Sequence, residues 1–95
     1  MDAQSYIKEY MTPEQAIKEL VRVELNDHQT HALISFINDR GVSAFKNSNL
    51  LKVINRGEFD QVPKELNRWV VNSGQKYQNL VELRQQEVEL FTKTR

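Results

Sequence analysis

Three glycines, at positions 41, 57 and 74, are the strongest constraint on what this chain can fold into. Each follows a run of apolar residues at helical spacing. Glycine just past a helix removes the steric cost of a positive φ, so each one reads as a helix stop. The first forty residues contain no glycine at all. A tight β-hairpin needs residues that tolerate positive φ, so that half has no glycine for such a turn. No segment shows the sustained period-two alternation of a half-buried strand. The expectation is an all-α fold, a compact bundle of about six short helices with no β-sheet.

The helix starts are equally legible. Thr12-Pro13-Glu14-Gln15 combines a capping hydroxyl, a proline suited to the first turn and a glutamine at the capping-box position. With Ile17, Leu20 and Val21 at helical spacing, this helix is expected to run to about Leu25. Asn26, Asp27 and Gln29 repeat the capping signature. The helix that follows should bury Ala32, Leu33, Phe36 and Ile37, and Gly41 should close it. Val42 to Lys46 makes about one further turn. Ser48 caps an apolar helix holding Leu50, Leu51, Val53 and Ile54, which ends at Gly57. Asp60 is placed to cap the next, where Val62, Leu66, Trp69 and Val70 form an amphipathic stripe ending at Gly74. A last helix begins near Asn79 and carries Val81, Arg84, Val88 and Phe91 on one stripe. The expected organisation is an N-terminal arm or short helix over 1–11 and one helical domain over 12–95.

Composition narrows the partners. Thirteen basic and thirteen acidic side chains give a formal net charge of zero. The basic footprint of nucleic-acid binding is missing, so the Gly41 break between helices is a weak basis for a DNA-binding helix-turn-helix. No run is long and apolar enough for a membrane span, and no Sec signal is visible at the N-terminus. Disulfides and thiolate metal sites are excluded because cysteine is absent. His28 and His31 could share a metal, but no third ligand accompanies them, so no metal or cofactor is expected.

The order and spacing of several residues resemble the phage-type lysozymes (endolysins, glycoside hydrolase family 24) between Leu20 and Phe91. They are Val21-x-Val23-x-Leu25, then Gln29, Ala32, Leu33, Ser35 and Phe36, then Gly41, Ala44 and Phe45. Ser48-x-Leu50-Leu51-Lys52, Asn55-x-Gly57, Arg68-Trp69-Val70, Gly74, Leu80-Val81, Arg84, Glu87 and Leu90-Phe91 complete the set. The resemblance implies the larger helical lobe of that family. It also implies a peptidoglycan muramidase ancestry, with the intact enzymes cleaving between N-acetylmuramic acid and N-acetylglucosamine. The catalytic Glu lobe finds no counterpart upstream, and Glu9, Glu14, Glu19 and Glu24 are spaced at fives and share no helical face. The implied function is a lysozyme-related protein that is inactive alone and keeps at most cell-wall or partner binding. It would be phage-encoded or cytoplasmic. The alternative is a helical interaction or regulatory module that self-associates as a homo-oligomer.

Departures from the family pattern point to a ligand or partner surface. Asn38, Asp39 and Arg40 stand where the family reads mostly apolar residues around an Asn, and Ser43 replaces a usual glycine. Leu83-Arg84 replaces paired arginines. Gly41, Phe45, Trp69 and Arg84 are expected to be structural. Arg84 on an apolar stripe either packs its stem while its head reaches water or pairs with an acid from another helix, and a structural pair is favoured over ligand contact.

Overall fold

The computed structural model describes residues 11–72, 75–76 and 78–93. Among these residues six α-helices follow one another: α1 Pro13–Leu20, α2 Asp27–Arg40, α3 Val42–Lys46, α4 Asn49–Asn55, α5 Val62–Asn67 and α6 Gln78–Thr92, with a 3-10 turn Phe59–Gln61 leading into α5. The all-α architecture holds. Its one addition among the described residues is a two-residue antiparallel pairing of Val71–Asn72 with Gln75–Lys76. Gly74 and all but the last residue of the expected arm over 1–11 lie outside the described residues.

The local signals work as the sequence implies. Thr12 Oγ1 accepts from the Gln15 amide at 3.1 Å, and the Gln15 side chain returns a bond to the Thr12 amide at 3.0 Å. Asn26 and Gln29 make the same reciprocal pair at 2.8 and 2.9 Å. Ser48 accepts from the Leu51 amide at 3.1 Å and donates to the Phe45 carbonyl at 2.7 Å, which ties α3 to α4. Each cap satisfies amide groups that the first helical turn leaves without partners.

Three expectations are corrected. The first helix stops at Leu20, not near Leu25. Val21, Val23 and Leu25 lean on the core while Arg22 and Glu24 face solvent, an alternation that belongs to extended backbone. Asn55 holds this segment from across the fold. Its side chain accepts from the Arg22 amide at 2.7 Å and donates to the Leu20 carbonyl at 2.9 Å. Asp60 does not cap α5. The 3-10 turn runs straight into that helix, with the Val62 amide bonded to the Phe59 carbonyl, and no side chain caps Gln61. Finally, α5 ends at Asn67 and does not reach Gly74. Its last turn tightens to i→i−3 bonds, and the Trp69 carbonyl turns to meet Arg84 Nε at 3.0 Å.

The core is one cluster. Ala16 and Ile17 meet Ala32, Leu33, Phe36 and Ile37 of α2, Phe45 of α3, the four apolar residues of α4, Val62 and Leu66 of α5, and Phe91 of α6. Phe36 sits at its centre, edge-on to Phe45 at 6.2 Å and to Trp69 at 5.3 Å. Such edge-to-face contacts add about 0.5–1.5 kcal/mol each beyond burial. Among the described elements, α2 and α6 make the most extensive contact, and the site described below lies along it.

Gly41 lets the chain turn from α2 into α3 with φ +96° and ψ 160°. That region is open essentially to glycine alone. A Cβ there would meet no atom within 4 Å, so the cost of any side chain is purely backbone strain. Gly41→Ala should therefore destabilise the protein by about 1–3 kcal/mol, read as a lowered urea midpoint with unchanged m-value.

Candidate functional site

Facing positions on α2 and α6 build a buried ionic knot. Ser35 and Asp39 are four apart on α2, and Arg84 and Glu87 are three apart on α6, so each pair shares one helical face. The Arg84 side chain is wholly buried and that of Glu87 is 1% exposed. Every guanidinium nitrogen has a partner. Nε donates to the Trp69 carbonyl, Nη1 to Glu87 and Nη2 to Asp39. The flat face of the group lies 5.1 Å from the Phe36 ring centroid. The second Glu87 oxygen accepts from Ser35 Oγ at 2.5 Å. Arg84 does pair with an acid from another helix, and with a second acid on its own.

Burial pushes the Glu87 carboxyl above its ordinary value of 4.5; the Ser35 hydrogen bond and Arg84 pull it back down, and the Asp39 charge pushes it up a little. Both of its oxygens are engaged, so the carboxyl is held in place.

The expected ligand surface is divided between two hollows. Asn38 and Asp39 line a groove of ≈ 590 Å³ with His31, Ile34, Ser35 and Leu83. Arg40 turns away into a pocket of ≈ 460 Å³ with Asn47, Ser48, Asn49, Glu65, Arg68 and Trp69. There its guanidinium stacks 5.2 Å from the Trp69 ring centroid, and its Nε is buried without a hydrogen-bond partner. Glu65, 7% exposed, is paired with Arg68 at 3.3 Å. Ser43 is exposed and lines neither hollow. Gly41 and Phe45 are structural in place, one as a backbone turn and the other as fully buried core.

Glu87 and Ser35 belong to the site, though the sequence singles out neither as a site residue. The signal was present: Glu87 lies one turn after Arg84, and Ser35 one turn before Asp39. Among the described residues, no three potential metal ligands gather, and His31 is simply exposed on the groove rim.

The phage lysozyme family model matches residues 2–87. The chain belongs to the phage lysozyme family. The match starts well before the Leu20-to-Phe91 span legible from the sequence. Among curated relatives, the SAR-endolysin of Escherichia phage Mu is 40% identical over 76 residues, covering 80% of this chain and 44% of that protein. The endolysin of Bacillus phage B103 is 36% identical over 75 residues, covering 79% of this chain and 28% of its own. The chain thus spans less than half the length of these two relatives. Of solved structures, the muramidase domain of SpmX from Asticaccaulis excentricus superposes with a TM-score of 0.80 at 28% identity, over 88% of this chain and 60% of that one. The endolysin from Escherichia coli O157:H7 phage FAHEc1 shares the fold, with a TM-score of 0.76 at 20% identity over 83% of this chain and 52% of its own.

Two measurements probe the knot in this phage-lysozyme lobe. Arg84→Met leaves Glu87 buried without its countercharge and should cost about 3–5 kcal/mol in urea unfolding. Adding Glu87→Leu should restore most of that loss. The second measurement is thermal melting against pH. A carboxyl whose pKa is raised on folding binds its proton more tightly in the native state. Its contribution is therefore greatest below the unfolded value of 4.5 and is lost as pH rises through the folded pKa. Glu87→Gln should flatten this decline, so the wild-type melting temperature falls relative to the variant across that window.

Proposed function

We propose that this chain is a helical lobe of a muramidase-type fold, formed by residues 12–95. In this reading it does not hydrolyse peptidoglycan by itself and works by binding, either to the cell wall or to another chain. A phage origin is part of the same reading and rests on the endolysin relatives.

The observation that carries it is the commitment of the carboxylates. Glycoside hydrolysis of the common kind needs two acidic groups flanking the scissile bond at a set separation. The two acids at the α2–α6 groove, Asp39 and Glu87, both grip the same guanidinium. Glu65, the other buried acid, is held by Arg68. The hollows lined by Glu65, by Asp60 and by Asp39 each carry a single acid. No described helix is long and apolar enough to cross a membrane.

Turbidity of a peptidoglycan suspension tests the absence of hydrolysis. The purified chain should leave the turbidity unchanged, while sedimentation with insoluble peptidoglycan reports wall binding. Clearing at the rate of an intact endolysin would overturn the reading.

A further inference from the structure

We infer that the groove between α2 and α6 docks a helical protein segment that presents a Lys or Arg beside an aliphatic side chain. The inference rests on the binding reading above and names the partner's chemistry.

Three features lead there. The first is charge. One guanidinium serves two carboxylates, so with both ionised the knot carries one surplus negative charge. Glu87 and Arg84 are sealed inside, whereas the Asp39 side chain is 27% exposed and lines the groove. None of the residues lining the groove is Lys or Arg, and the nearest charged neighbour in sequence, Arg40, faces the other pocket. The surplus sits against low-dielectric core, where a nearby cation gains more than in water.

The second is shape. His31, Ile34, Ser35, Asn38 and Asp39 are spaced along one face of α2, at i, i+3, i+4, i+7 and i+8. That face is about 12 Å long, the length of roughly two helical turns. A groove bounded by two helices suits an amphipathic helix laid along it.

The third is the wall chemistry. Ile34 and Leu83 offer aliphatic surface next to Asp39, and no Phe, Tyr or Trp lines the groove. A sugar ring would find only the exposed His31 imidazole to stack on, while an aliphatic side chain flanked by a cation finds both of its complements. Such charge complementarity chiefly sets specificity and register.

Fluorescence anisotropy with two labelled helical peptides tests this. One is an amphipathic helix of Leu, Ala and Lys, and the other has Glu in place of every Lys. The chain should bind the Lys peptide at least about tenfold more tightly than the Glu peptide, and added salt should weaken the former. Leu83→Arg supplies the missing cation from within and should weaken the Lys peptide by about tenfold or more. Asp39→Asn should do the same, which keeps the test decisive if Arg at position 83 impairs folding. Glu24→Gln makes the same charge change outside the groove and should have no effect.

Equal binding of both peptides, or equal loss with Glu24→Gln, overturns the inference. So does sedimentation with peptidoglycan that Leu83→Arg abolishes, or self-association that it abolishes, because the groove's occupant is then the wall or a second copy. Each of these results leaves the turbidity readout untouched, so failure here is distinct from failure of the inactivity reading.

Discussion

A single guanidinium in the interior joins α2, α6 and the segment that follows α5. Arg84 reaches the carbonyl of Trp69 after α5, the carboxylate of Asp39 on α2 and that of Glu87 on its own helix, while its face rests on Phe36. Moving such a charge from water into a low-dielectric interior costs about 20 kcal/mol in the idealised limit. It is tolerated only because every nitrogen is satisfied at once. The position of α6 along α2 and the end of α5 both follow from that requirement. A shift of either helix would strand a charge inside the core.

The same knot shapes what the lobe can do. Glu87 is engaged at both carboxylate oxygens, whereas Asp39 commits one oxygen to Arg84 and stays part-exposed. Through Asp39 the knot reaches a groove where Ile34 and Leu83 stand beside His31, Ser35 and Asn38. The lobe keeps the phage-lysozyme fold, with acids that hold its own helices together. Arg40 and Trp69 form a second stack on the opposite side of the α2 terminus, so two neighbouring residues serve two separate hollows.

Much of the fold could be read directly. The capping boxes at Thr12 and Asn26, the Ser48 cap, the stop at Gly41 and the apolar sets of α2 and α4 depend on residues within a turn of one another. Local chemistry decides them, and local spacing reveals them. Misreadings arose where a distant residue intervened. Asn55 catches the backbone on both sides of Val21 and holds it extended. Arg84 draws the Trp69 carbonyl out of helical geometry. The site was legible only in part, for the same reason. Arg84 on an apolar stripe announced a buried ion pair, but Ser35 lies fifty-two positions from Glu87 and Asp39 forty-five from Arg84. No periodicity links residues that far apart.

The sequence by itself determined which segments are helices, where most of them begin, and that an arginine would need a buried partner. These follow from capping, glycine freedom and the cost of an isolated charge. Only the tertiary structure decided which acids meet Arg84, that Asn38 and Asp39 open on one hollow while Arg40 opens on another, and that Glu87 sits in a place that raises its pKa. Those outcomes depend on the rotation and register of α6 against α2. The Arg84 knot and the packing of the core around Phe36 set that geometry together, and no local segment encodes it.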